Sequence, residues 1–261
     1  MLRLTQAQKQ TLYRDGYLHL HGLVPPAMVD DALHAINHHI GSAGLPPDML
    51  QQFGYRSFCP ELTDQSVITD VFNKPIRPIA DQLLGEDATP VARSAQIAIR
   101  FPRKPASKPG SAPDSPRAHI DGFNEAADGK YVPFNLLAGV MLSDVAGSGR
   151  GNLTVWPGSH HLAEAYFREH GLPRVRDFTP PLDTIEPVEV HAAPGDVVLA
   201  HYQLCHTAGP NHSPHPRYAL FFRVSKVGHD KKNLSCYTDI WQAWDGMKDI
   251  HSAAKKSSTH R

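Results

Sequence analysis

His119 and Asp121 stand two residues apart in "RAHIDGFN", and an imidazole beside a carboxylate at that spacing can hold a metal. In an extended strand, residues i and i+2 project from the same side, so the two side chains can converge on one point. The same pattern fits a polar strand end, and with 17 histidines in the chain a chance His-x-Asp is expected. Further polar residues come well downstream, where "APGDVVLAHYQLCHTAGPNHSPHPRYALFFR" carries His201, His206 and Arg217. Iron sites that keep open coordination positions commonly use two histidines and one carboxylate on one face of the metal. The near pair would supply two of these ligands, and either His201 or His206 the third.

Arg217 opens the apolar run "RYALFFRV", so its side chain is expected to face inward. A buried guanidinium needs an anion, and its planar fork suits a carboxylate. Gln96 and Arg100 share a face on "QIAIR", and Asn135 stands at the start of the apolar "FNLLAGVML", where a buried amide must find a hydrogen-bond partner. Thr154 and Trp156 alternate along "LTVW", which allows either a common pocket-facing side or ordinary core packing. His19 and His21 lie far from the site in sequence and have no paired carboxylate at ligand spacing, and His160 and His161 follow a Pro-Gly-Ser turn, so all four read as structural.

The elements that would position these residues follow a simple order. "LTQAQKQTLYRDGY" carries a capping box, Thr5 with Gln8, and a helix stop at Gly16. "YLHLHGLV" alternates as a strand, and "PPAMVDDALHAINHHIG" has prolines at its start and glycine at its end, as a helix does. Residues 42–63 are rich in turn formers, and "VITDVFNKPIRPIADQLLG" reads as mostly helical. Beyond it, strand signals recur at "VARSAQIAIRFP" and at 117–123, 131–145, 151–157, 186–191, 196–202 and 217–226, separated by turns. The proline-rich "RKPASKPGSAPDSPR" can form neither helix nor sheet, and residues 162–184 read as a short helix plus a loop. Short strands after a helical amino-terminal third predict a mainly β sandwich or jelly roll flanked by helices. The expected organisation is one domain over residues 1–250 and a polar, frayed tail over 251–261.

Composition narrows the function class. Lys plus Arg and Asp plus Glu both number 26, which gives no electrostatic case for nucleic acid or an anionic membrane. Three cysteines without a CxxC pair argue against a disulfide framework. The amino terminus lacks the apolar stretch of a signal peptide, and no segment has the roughly 18 apolar residues of a membrane span. A cytoplasmic protein acting on a small molecule is expected, with its oligomeric state unspecified.

Taken together, the His-x-Asp pair, "GNLTVWPGSHH", "PGDVVLAHYQLCHTAGPN" and an arginine 11 residues after His206 resemble the phytanoyl-CoA dioxygenase family. The opening "LTQAQKQTLYRDGYLHLHGLVPP" is similar to that family as well, so the resemblance runs from about residue 4 to about residue 226. It implies a double-stranded β-helix of the cupin-like, jelly-roll kind, with iron(II) on His119, Asp121 and His206. It also implies 2-oxoglutarate as cosubstrate, with Arg217 on its distal carboxylate, and dioxygen as oxidant. The activity implied is hydroxylation of a C–H bond with release of succinate and carbon dioxide. His201 is then left as a packing residue or one behind the ligands. Where the family often has a serine two residues after the distal histidine, this chain has Ala208, so a hydroxyl contact to the cosubstrate carboxylate is either missing or supplied by Thr207 or Thr154. Asn135, Gln96 and Thr154 are further expected cosubstrate contacts, and Asn124 a substrate contact. The proline-rich loop, Arg174 and Arg176, and "YTDIWQAWDGM" are candidate pocket elements. Two readings from other classes remain: a non-catalytic cupin-like binding protein and a zinc-dependent hydrolase.

Overall fold

A computed structural model describes residues 2–46, 57–103, 118–122, 132–172 and 182–258. The Thr5 hydroxyl accepts the Gln8 amide, the Gln8 side chain caps Thr5 in return, and helix α1 (Gln6–Asp15) ends at Gly16 in the left-handed conformation. Strand β1 (Tyr17–Leu20) leads into helix α2 (Pro26–Ala43), two residues longer than its Gly41 suggested and closed instead at Gly44. The next helical stretch is two helices, α3 (Ser66–Asn73) and α4 (Arg77–Leu84). Pro75 explains the break, because it lacks an N–H and its ring would strike the preceding turn, whereas Pro78 sits harmlessly in the first turn of α4.

The strands then follow: β2 (Gln96–Arg100), β3 (Leu136–Met141), β4 (Leu153–Val155), β5 (Val188–Glu189), β6 (Val197–His201), β7 (His206–Ala208) and β8 (Arg217–Val224). Five form one antiparallel sheet in the order β1-β6-β3-β8-β2, and three form a smaller one, β5-β4-β7. Helix α5 (Ser159–His170) follows β4, which confirms the expected helix in that insertion, and helix α6 (Lys248–Ser258) ends the described chain.

Two apolar layers hold these parts together. Leu12, Ile36, Phe72 and Leu83 of the helices pack against Leu136, Ala138, Val140, Leu220 and Phe222 on one face of the large sheet. Leu137, Met141, Val198, Ala200 and Ala219 of the other face pack against Leu153 and Val155 of the small sheet. Both faces of β3 and β6 are therefore buried, as is most of β8 apart from the exposed Arg223, which is why these strands read as nearly continuous apolar runs. The face between the sheets also carries the polar residues of the site, as a jelly roll with flanking helices requires.

Two expectations about the carboxy-terminal region are corrected. Trp241 and Trp244 of "YTDIWQAWDGM" are 2% and 0% exposed, so they fill the core rather than line an open pocket. The stretch read as a frayed tail is helical through Ser258, because Ile250 is buried and His251 Nδ1 lies 3.2 Å from Tyr13 Oη of α1. No helix among the described residues is long and apolar enough to cross a membrane.

Candidate metal centre and cosubstrate pocket

Of residues 117–123, expected as a strand, the described residues 118–122 contribute one antiparallel bridge, His119 opposite His206. Each histidine donates its N–H to the other's carbonyl, at 3.1 and 2.9 Å, and Asp121 N–H donates to Tyr202 O at 3.1 Å. These bonds tie the His-x-Asp segment to both ends of the 202–206 turn. As directly opposed residues, His119 and His206 project to the same side, with ring centroids 4.6 Å apart. Gly122 closes the segment at φ +90°, and an added Cβ there would meet Tyr237 Oη at 2.9 Å, so only glycine fits.

His119, Asp121 and His206 each offer one ligand atom, and these atoms lie within 4.8 Å of one another. His206 Nδ1 lies 2.9 Å from Leu204 O, which fixes it as the protonated nitrogen and leaves the Nε2 lone pair 4.0 Å from Asp121 Oδ2. Burial, with His119 alongside, pushes the His206 imidazole down to about 4, so it is neutral at pH 7 and ready to ligate. Burial alone would raise the Asp121 carboxyl, but the Arg223 guanidinium and the two histidines outweigh it and hold the group below its ordinary value. The donor set, two imidazole nitrogens and one carboxylate, fits iron(II), and it equally fits zinc.

Arg223 was not foreseen from the sequence. Its Nε donates to Asp121 Oδ2 at 3.2 Å, its Nη2 reaches Asp121 Oδ1 at 3.5 Å, and its Nη1 donates to Gln96 Oε1 at 2.9 Å. The signal was present in the spacing, since Arg223 is six residues beyond Arg217 on one strand and an even separation keeps both on one face.

Arg217 points between the sheets as expected, 4% exposed. Its Nε donates to Gly151 O at 2.9 Å and its Nη1 to Ala98 O at 3.2 Å, and among the described residues no carboxylate pairs with it. Arg100 stands directly opposite it in the β2–β8 register and donates to Ala208 O at 3.1 Å. Burial, aggravated by the charge of Arg100, brings Arg217 down to about 9, and burial beside Arg103 brings Arg100 down to about 10. Gly151 makes room for the pair. At φ +76°, an added Cβ would lie 3.1 Å from Arg100 Cβ and 3.3 Å from Arg217 Cβ. Buried Arg217, without a carboxylate partner among the described residues, creates a demand for an anion.

The remaining expected residues divide. Gln96 is joined to the centre through Arg223. Asn135 is buried, but its carbonyl oxygen accepts the Lys226 N–H at 2.7 Å, which leaves only its amide N–H group for a ligand. Thr154 does not fit. It is paired with Thr207, while the neighbouring Val155 is paired with His206 and packs between the sheets, so both threonines face away from the His206 side. Ala208, two residues after His206, shares that histidine's face and brings no hydroxyl. His201 is a packing residue, with its Nε2 3.0 Å from Ile240 O and its ring stacked on Trp244. His160 and His161 both hydrogen-bond Tyr13 O, as structural residues. The reading of His19 and His21 as lacking a carboxylate is overturned, because strand pairing brings Asp196 to both. Asn124, Arg174, Arg176 and most of the proline-rich loop lie outside the described residues.

Several solved structures share this architecture. One is the non-heme alpha ketoglutarate dependent carbocyclase SnoK from nogalamycin biosynthesis, 21% identical, covering 85% of this chain and 84% of its own, with a TM-score of 0.58. EctD from S. alaskensis with 2-oxoglutarate and 5-hydroxyectoine is 20% identical, covering 88% and 78%, with a TM-score of 0.59. The epimerase SnoN in complex with Fe3+, alpha ketoglutarate and nogalamycin RO is 20% identical, covering 84% and 82%, with a TM-score of 0.56. At these identities the likeness establishes the shared fold. No curated protein sequence matches the chain. The family model for phytanoyl-CoA dioxygenase matches residues 12–219, a span that holds the whole triad, the Gly151 turn and Arg217, and the chain belongs to that family.

Proposed function

We propose that this protein is an iron(II)- and 2-oxoglutarate-dependent oxygenase that hydroxylates a C–H bond of a small molecule, with His119, Asp121 and His206 as the iron ligands. The observation that carries the reading is the convergence of those three donor atoms in a jelly roll whose neighbouring buried Arg217 has no carboxylate partner among the described residues. When bound, iron(II) and 2-oxoglutarate would activate dioxygen, the oxidant, with succinate and carbon dioxide as the cosubstrate's products. The protein's own contribution is binding, orientation and exclusion of water. His206 is kept neutral by burial and oriented by its bond to Leu204 O, and Asp121 is kept ionised and aimed by Arg223. Arg217 takes the far carboxylate of 2-oxoglutarate with its fork, and Arg100 adds a second positive charge behind it. Because Asp121 keeps a carboxylate on the metal, no position is freed for a halide, and hydroxylation is favoured over halogenation.

The folds of a carbocyclase and an epimerase are also like this one, so the fate of the substrate is set by the pocket beside the triad rather than by the ligands. Substrate-stimulated conversion of 2-oxoglutarate to succinate, with iron(II) and oxygen supplied, tests the reading. Alanine at His119 or Asp121 should abolish it, and full turnover by either variant would sink the assignment. Activity that persists without oxygen and with zinc in place of iron would instead favour a hydrolase. Metal binding without any succinate would favour a binding protein.

A further inference from the structure

A second set of ligand-type side chains converges at the opposite end of β6 from the triad. His19 lies on β1, His21 in the turn after it, and Asp196 immediately before β6, and the β1–β6 register, with His19 opposite Val198, brings them together. His19 Nε2 is 2.9 Å and His21 Nδ1 3.2 Å from one atom, Asp196 Oδ2, and the ring centroids are 4.1 Å apart. The carboxylate is aimed by the backbone, since Gly22 N–H donates to Oδ1 at 2.7 Å and Ala193 N–H to Oδ2 at 3.1 Å. Nothing in the proposed oxidation uses these residues.

We propose that His19, His21 and Asp196 form a second site for a divalent transition metal of the zinc type, structural in role and separate from the oxidation centre. Tetrahedral zinc with bonds of about 2.0–2.1 Å separates neighbouring ligand atoms by about 3.3 Å. Both imidazole-to-carboxylate spacings already fall near that value, and all three donor atoms lie within 4.8 Å of one another. Without a metal, both rings must turn an N–H toward the same oxygen, which also accepts Ala193. With a metal, the two ring nitrogens present lone pairs instead, after small rotations.

Asp196 is 5% and His19 18% exposed at the side chain, whereas His21 is 79% exposed, so the fourth position opens to water. Bound metal would staple the end of β1 and its following turn to the turn between β5 and β6.

The test is a zinc count on the intact, metal-stripped chain, equilibrated at buffered micromolar free zinc and read by native mass spectrometry. Because His21 is so exposed, H21A should fold normally. H21A is expected to bind one zinc fewer per chain than wild type, and H119A to keep that zinc. In the H119A background, zinc should raise the melting temperature, and adding H21A should remove the rise. Equal zinc content in wild type and H21A would overturn the proposal, as would an H119A variant that binds none. Either result is independent of whether the triad supports oxidation.

Discussion

Replacing Arg217 with methionine removes the proposed anchor for the cosubstrate and leaves a side chain of similar length. Arg217 is 4% exposed and spends two donors on Gly151 O and Ala98 O, which leaves the rest of its fork for an incoming carboxylate. Removing one partner of such a buried, hydrogen-bonded pair costs about 3–5 kcal/mol. At about 1.4 kcal/mol per tenfold, 2-oxoglutarate should bind roughly a hundred to a few thousand times more weakly. Thermal shift under anaerobic conditions with iron(II) reads this directly. At a ligand concentration of about 100 times Kd, the wild type gains about 2.7 kcal/mol. In a chain of 261 residues, each kcal/mol moves the melting temperature by about 2–4 °C, so the cosubstrate should raise it by about 5–11 °C. R217M at the same concentration should show almost no shift, and R217K an intermediate one, because lysine keeps the charge without the fork. A methionine variant that retains the wild-type shift would refute the assignment of this arginine.

Other consequences concern the surroundings of the site. R223M leaves Asp121 without its guanidinium partner, and metal affinity should fall about 10–100-fold, with partial recovery in R223K; calorimetric titration with cobalt(II) would expose an unchanged affinity. Acid should destabilise the metal-free protein early, because His201 is held down to about 3 by burial against an unfolded value near 6.5. With the folded pKa depressed, this contribution is fully present above about pH 6.5 and declines as pH falls toward 3. By about pH 5 the loss amounts to about 2 kcal/mol, and urea unfolding that is flat between pH 7.5 and 5 would contradict it. W244A empties a fully buried site and should cost about 3–5 kcal/mol in urea unfolding, where a surface-like loss below about 1 kcal/mol would show that the carboxy-terminal segment is not part of the core.

The chemistry was legible where it depends on local spacing. His119 and Asp121 face one way because a single residue separates them, and Arg217 faces inward because it opens a run that is apolar on both sides. The capping box at Thr5 and Gln8 is local in the same sense. Contacts across strands were not legible. Asp196 reaches His19 and His21 only through the β1–β6 register, and Arg223 reaches Asp121 across more than a hundred residues of sequence. Thr154 shows the complementary failure. Alternation along "LTVW" gives two sets of residues but not which set faces inward, and the pairing of Val155 with His206 decides against Thr154. Composition also misled at the carboxy terminus, where a polar stretch stays helical because Ile250 and His251 dock on the body of the protein.

The central claim is that His119, Asp121 and His206 hold iron(II) in a form that 2-oxoglutarate can chelate. Iron(II) bound to a 2-oxo acid through both its keto and carboxylate oxygens absorbs visible light by metal-to-ligand charge transfer. Anaerobic addition of iron(II) and 2-oxoglutarate to the metal-stripped protein should therefore develop that absorption at one equivalent of iron, and H206A should develop none. Absence of the band in the wild type, or a band of equal intensity in H206A, would contradict the account.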